Sequence, residues 1–462
     1  MGFQIKIPII IIITTTTKMV KRIERIKKDE YPKMIEIKEV NTPVLRKAFI
    51  KLPYQIYRDS AQWVPMFVND AKRLANKKGS LLFENGPQTL YVALKNQKVV
   101  GRVCLGIDEV LNEAKDYKHA YFTLFECVND GEVAKAMMDQ CVNWAKEKGM
   151  KYLKGPVSPT NGDDYRGLLI NGYENLPAIL MPFHHPYYKN FFEKYDQYLK
   201  YLAYEADIEK PIPEKNLKTI KKALDLYGKY TSDEIDNMDE ITLGETICQV
   251  LFEQRGFKAE SVPLNTRSHV EAATESVQKV MAESYPEIWE EDLLPPTKSE
   301  IREMIKELKF VIDPGMALLV RKGNEPIGVA LAVPDFNKGI KKAKGRFFPF
   351  GWYHILKSKQ RTNISRGVIL FVIKKYQKQG IPGYMVLKFR KNLLELGYKK
   401  MELSSISAMN EMMNGVYEWM DLKISKEYMV FGCSVNGEQL TLEEIYGNAA
   451  DKVRAFRAKN QK

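Results

Sequence analysis

The chain has 462 residues, more than one ordinary core absorbs, so two domains are the expectation. Apolar residues make up 45%, and 71 Lys and Arg against 58 Asp and Glu leave a net charge of +13. That excess suits a polyanionic small molecule or an anionic surface, whereas the absence of zinc-finger spacing and basic heptads argues against a nucleic-acid partner.

Residues 1–33 carry an apolar run, Ile9 to Ile13, far short of the roughly 20 residues a membrane span needs. They read as a disordered tail or an upstream extension, with a membrane-surface role for "KMVKRIERIKK" as the alternative. Residues 34–210 form a first unit. "MIEIKEV" reads as a strand, and "TPVLRKAFIKLPYQIYRD" as a helix capped by Thr42. A hairpin "TLYVALKNQKVVGRVCLGID" and a strand "YFTLFECV" follow. Asp130 opens the next helix and Gly149 closes it. "KYLKGPVSP" is a strand, and "HPYYKNFFEKYDQ" opens a last helix before "YLKYLAYEADI". Residues 211–255 read as a linker with a helix.

Residues 256–462 repeat this order, with "MALLVRKGNEPIGVALAVPD" as the hairpin and "RGVILFVI" as the following strand. Gly101 aligns with Gly328, Asp108 with Asp335, and Gly149 with Gly397. "FEKYD" from Phe192 aligns with "YEWMD" from Tyr417. Matches in one order indicate a duplicated α+β unit. The five cysteines include no CxxC pair, and only His184 and His185 adjoin among five histidines. Reduced thiols in a cytoplasmic protein without a metal are the expectation.

The stretch "KKYQKQGIPGYMVLKFRKNLLELGYKK" leaves that strand and enters a helix. A helix start offers unpaired N–H groups and partial positive charge, and glycines before it admit a pyrophosphate. Gln377, Lys378, Gln379, Gly380 and Gly383 would form such a cradle, with Lys374, Lys375, Lys378 and Lys388 adding positive field. An ordinary turn with solvated lysines is the competing reading.

The order of elements resembles that of the GCN5-related N-acetyltransferase (GNAT) superfamily, whose signature loop reads Q/R-x-x-G-x-G/A. "YQKQGIPG" supplies Gln377, Gly380 and Gly383, and departs where Pro382 replaces Gly or Ala. "WVPMFVNDAKRLANKK", "KVVGRVCLGIDEVLNE" and "GRFFPFGW" are similar to segments of an uncharacterised bacterial family of tandem GNAT-like proteins. The resemblance implies an α+β fold of two tandem GNAT-like (acyl-CoA N-acyltransferase) units, each a mixed, mainly antiparallel sheet flanked by helices. It implies acetyl-CoA or another acyl-CoA as co-substrate and a small-molecule amine as acceptor. Tyr417 would be the general acid toward the CoA thiolate, with Asn410 in the cofactor site and a backbone N–H of Val372 or Ile373 at the oxyanion.

The first unit has Phe192 where the second has Tyr417, and an acidic loop "ECVNDGEVAKA"; it reads as non-catalytic. Glu402 and Asp335 are the candidate bases. Asp335 and Asn337 of "PDFN" are candidate substrate contacts, or a turn closed by an Asx bond. Asn161, Asp163, Asp164 and Arg166 of a Gly- and Asn-rich loop are candidates from the first unit. The insert 338–365, with Phe347, Phe348, Phe350 and Trp352, either lines an acceptor or acyl pocket or packs against the other unit. An N-acyltransferase is the leading expectation. A tRNA-dependent aminoacyl-transferase of the peptidoglycan type and a non-catalytic CoA-binding protein are the alternatives.

Overall fold

The computed structural model describes residues 35–76, 85–158, 166–284 and 294–460; the expectations for residues 1–33, Asn161, Asp163 and Asp164 lie outside them. Capping fixes several boundaries. Thr42 Oγ1 accepts from the Leu45 N–H at 3.3 Å and starts the helix Pro43–Ile56. Asp130 accepts from Glu132 and Val133 and starts Gly131–Glu147. Segment 211–255, read as a linker with one helix, holds three: Glu214–Tyr227, Ser232–Asp236 and Glu240–Gln254. Ile220, Leu224, Leu243 and Ile247 give them a small core of their own, packed on Tyr384 and Leu387.

The strands are β1 (Ile35–Glu39), β2 (Gln88–Lys95), β3 (Lys98–Gly106), β4 (His119–Cys127), β5 (Tyr152–Gly155), β6 (Leu168–Asn171) and β7 (Asp196–Asp207) in the first half. The second half holds β8 (Phe257–Ser261), β9 (Ala317–Lys322), β10 (Glu325–Pro334), β11 (Ile364–Val372), β12 (Lys400–Ser407) and β13 (Lys423–Ser434). They make one 13-stranded sheet in the order β1-β2-β3-β4-β5-β13-β7-β12-β11-β10-β9-β8, with β6 also on β13. The duplication is visible in the pairing. β4 runs parallel to β5 and β11 parallel to β12, each pair joined by a crossover helix.

The halves are interleaved. β13, last strand of the second half, pairs with β5 of the first. β7, last strand of the first, pairs with β12 of the second, and β7 and β13 pair with each other. In the first half Phe192 is fully buried and stacks on Phe122 and Phe431, at 5.8 and 5.1 Å between ring centres. Aromatic rings thus pack the core beneath β4 and β5 in that half.

Charge is buried across β7, between its two neighbours β12 and β13. Glu402 Oε2 lies 2.6 Å from Lys426 Nζ, and Oε1 accepts from Ser404 Oγ at 2.9 Å. Arg366 of β11, with no solvent exposure, donates to Ser404 Oγ, the Ser404 carbonyl and the Ile179 carbonyl. Removing one member of a buried pair leaves the other's charge uncompensated. Lys426→Met is therefore expected to cost about 3–5 kcal/mol. The measurement is the urea unfolding midpoint, with Glu402→Gln/Lys426→Met recovering most of the loss. An unchanged midpoint in the single variant would show that the pair holds nothing.

Candidate functional site

The site grows from two strand irregularities. β11 and β12 pair in parallel only from Ile364 with Lys400 to Gly367 with Leu403. Directly beyond, the register of β11 on β10 slips, leaving Val368 as an extra residue between the Gly367 and Ile369 pairs. β12 slips on β7 at the same level, where Ser404 and Ser405 face one residue of the partner. A bulge bends its strand, and two of them open a fork between β11 and β12.

Two cavities share the fork. The larger, about 1020 Å³, is walled mainly by apolar side chains: Ile369, Met401, Leu403, Ile406, Met304 and Leu422 from the second half, with Leu180 and Ile208 from the first. The smaller, about 410 Å³, lies between the end of β11, the start of the helix Ile381–Glu395 and the C-terminal helix Ala450–Asn460. Leu370, Phe371, Asn410 and Met413 line both, so the two spaces abut.

The small cavity gathers Val372, Gln377, Pro382 and Asn410. Gln377 donates to the Val372 carbonyl at 3.2 Å. Asn410 accepts from the Met413 N–H and so caps the helix Glu411–Trp419. Gly380 takes φ +80 at the cap of Ile381–Glu395, a conformation that glycine adopts without strain. The Tyr384 N–H is the first to bond back, to the Gly380 carbonyl at 3.1 Å. Ile381 and Gly383 precede it with their amides, while Pro382 has none. A Cβ built on Gly383 would meet nothing within 4 Å, so its backbone is approachable. Lys378 takes φ +60, and the Gln379 side chain donates to the Lys375 carbonyl at 3.2 Å; neither is on the wall of these two cavities.

Several expectations need correction. Ile373 does not turn its N–H into the fork: it donates to the Ile327 carbonyl of the neighbouring hairpin at 2.9 Å. Alternation along the strand then directs the Val372 N–H to the opposite edge, where β12 has departed. Lys375 is held by Glu325 at 2.8 Å, and Lys388 by Glu245 at 3.4 Å. Hydrogen bonds from Lys375 and Tyr376 pull the Glu325 carboxyl down to about 2. Lys452 and Lys459 of the C-terminal helix border the small cavity, Lys459 itself held at 2.8 Å by Glu411 of the same wall. Sequence reasoning missed them because they lie some 70 residues from the loop they face; only the return of that helix onto the fork brings them there.

Tyr417 is 3% exposed, lines the large cavity and packs on Tyr204 at 5.1 Å between ring centres. Burial raises its pKa, and the phenol carries its proton at neutral pH. Glu402 spends both oxygens on Ser404 and Lys426 and is no free base. Asp335 accepts from the Asn337 N–H at 2.9 Å and the Ile179 N–H at 3.2 Å, and Asn337 donates to the Pro177 carbonyl at 2.9 Å. The pair fastens the hairpin end to segment 177–179 and lines neither cavity. Arg166 and Ser405 do line the large one; the buried Ser405 hydroxyl finds no hydrogen-bond partner among the described residues. Among the described residues no cluster of His, Cys, Asp and Glu could hold a metal ion.

No family model matches the chain. It is 24% identical to a bacterial ceramide synthase of Caulobacter vibrioides, over 85% of this chain and 95% of that one. It is 22% identical to protein YghO of Escherichia coli, over 83% and 92%. Among solved structures it is similar to a GCN5-related glucosamine N-acetyltransferase region of a fungal multi-domain β-N-acetylglucosaminidase. The TM-score there is 0.50 at 12% identity, over 87% of this chain and 38% of that one.

Burial raises the Asp335 carboxyl from an ordinary 3.8 to about 6. The folded state therefore holds that proton more tightly than the unfolded chain. The group's contribution to stability falls as pH climbs between those two values and levels off above them. Asp335→Asn is expected to gain on the parent through that interval in denaturant midpoints taken across pH. A constant difference at all pH values would show that the proton is not held.

Proposed function

We propose that the chain, whose fold is similar to that of a GCN5-related N-acetyltransferase region, is an N-acyltransferase that moves an acyl group from acyl-CoA to an amine. The second half does the chemistry. The observation that carries this reading is the pair of abutting cavities in the β11–β12 fork. The smaller has a helix start, two lysines and Glu411 at its walls; the larger is mainly apolar. Such a division suits a donor with an anionic head and a fatty tail.

The residues divide the work as follows. The amides of Ile381 and Gly383 and the start of their helix face pyrophosphate, with Lys452 of the C-terminal helix, and Lys459 beside its partner Glu411, at the same wall. The Val372 N–H, free of β10, meets the oxyanion that develops on the thioester carbonyl. The amine nitrogen forms the new C–N bond as the C–S bond breaks. Tyr417, protonated and on the wall of the large cavity, gives its proton to the departing thiolate. The nucleophile's proton leaves to water, since Glu402 and Asp335 are both engaged.

We further propose a long acyl chain and a lipid-like amine. A volume of about 1020 Å³ lined by Ile, Leu and Met side chains far exceeds what an acetyl group needs. The name of the Caulobacter relative, a ceramide synthase, fits that chemistry.

Thermal unfolding with acetyl-CoA, a long-chain acyl-CoA and dephospho-CoA tests the donor. Ligand at about 100 times its Kd adds about 2.7 kcal/mol of stability, and the long-chain donor is expected to give the largest shift. Gln377→Glu/Gly383→Asp should remove the shift while leaving ligand-free unfolding near that of the parent, since a Cβ at Gly383 meets nothing within 4 Å. CoA affinity unaltered in this variant would refute the cradle. Tyr417→Phe is expected to lower turnover about 100-fold with CoA affinity nearly intact; full turnover would reduce Tyr417 to packing.

A further inference from the structure

The insert between β10 and β11 faces water with its most apolar residues. Phe348 and Phe350 are 74% and 73% exposed, and Phe347, Trp352, Tyr353 and Leu356 stand out beside them. Soluble surfaces seldom group large apolar side chains this way without a partner. The sequence around them is one-signed. Residues 338–361 contain eight Lys and Arg and no Asp or Glu. Lys338, Lys342, Lys344, Arg346 and Arg361 are exposed around the aromatic tip.

The tip is held rigidly. Inward, Ile340, Ala343 and Ile355 pack with Val333 and Phe336 in a small core. Tyr54 donates to the Lys344 carbonyl at 3.2 Å, the Val68 N–H to the Gly345 carbonyl at 2.8 Å, and Lys341 to the Ser60 carbonyl at 3.2 Å. Trp352 Nε1 donates to the Pro349 carbonyl at 3.0 Å. With its inner face committed to the protein, the insert keeps the aromatic face outward. Val333, Leu308 and Val368, which that inner face covers, also wall the large cavity.

We infer that this face docks on an anionic lipid bilayer. Aromatic rings settle at the headgroup level, Lys and Arg reach anionic phosphates with their stems in the apolar layer, and no carboxylate in the insert opposes them. The contact is peripheral: no helix among the described residues is long and apolar enough to cross a membrane. It sets the insert, and the cavity wall beneath it, against the bilayer. The inference stands on the exposed face and its charge and goes beyond the proposed acyl transfer, which would hold without it.

Vesicle flotation tests it, using the full chain with vesicles of phosphatidylcholine alone or mixed equally with phosphatidylglycerol. The protein is expected to float with the mixed vesicles, less so at raised salt, and hardly with phosphatidylcholine alone. Phe348→Ser/Phe350→Ser and, separately, Lys342→Glu/Lys344→Glu/Arg346→Glu should each lower the bound fraction about tenfold. Unfolding temperatures of both variants should match the parent, since these side chains are exposed. Equal binding by the variants would place membrane contact elsewhere, residues 1–33 included, and overturn the inference. So would failure to bind vesicles, or a parent dimer in light scattering that Phe348→Ser/Phe350→Ser turns to monomer without any vesicle binding.

Discussion

The rest of the site depends on one guanidinium shut away from water. Arg366 sits on β11 just before that strand leaves β12, and its N–H groups reach two backbone carbonyls and a hydroxyl. A buried cation is tolerable only when its donors are met. Here Ser404 meets them from the bulge of β12, and Ile179 from the first half of the chain. One side chain therefore pins the base of the fork and ties it to the other half. The Glu402–Lys426 pair, linked through Ser404, extends the same network into β13.

That network ties the first half to the large cavity. Phe192 and its neighbours fill the first half's core. The first half nevertheless gives β7 to the sheet beside β12, and Arg166, Leu180 and Ile208 to the large cavity. The second half returns β13 and the C-terminal helix. Each half is incomplete without the other's last strand, so the cavity belongs to both.

Much of the architecture was legible in the residues. Thr42 and Asp130 read as helix caps because their side chains can satisfy N–H groups two or three residues on, a purely local matter. The loop from Gln377 to Gly383 was legible for the same reason: Gly380 needs a positive φ, and the helix begins immediately after it. Asp335 was read both ways, as a substrate contact and as a turn residue. The turn reading is what its bond to the Asn337 N–H shows, while its second bond, to Ile179, crosses the chain. The exposure of Phe348 and Phe350 was not legible, because an aromatic run reads the same whether it packs or protrudes.

The duplication, the element order and the position of the glycine loop before the helix Ile381–Glu395 are readable from the residues alone. These follow from periodicity, caps and glycine, which act over a few residues. Only the tertiary structure decided which lysines face the small cavity, that Ile373 spends its N–H on the hairpin, and that Glu402 is engaged. It also decided that the last strands change places between the halves. Each of those outcomes is a pairing between groups far apart in the chain, and short-range preferences leave such partners open. Burial closes the choice, because a charge or an amide out of water must find its partner in the fold.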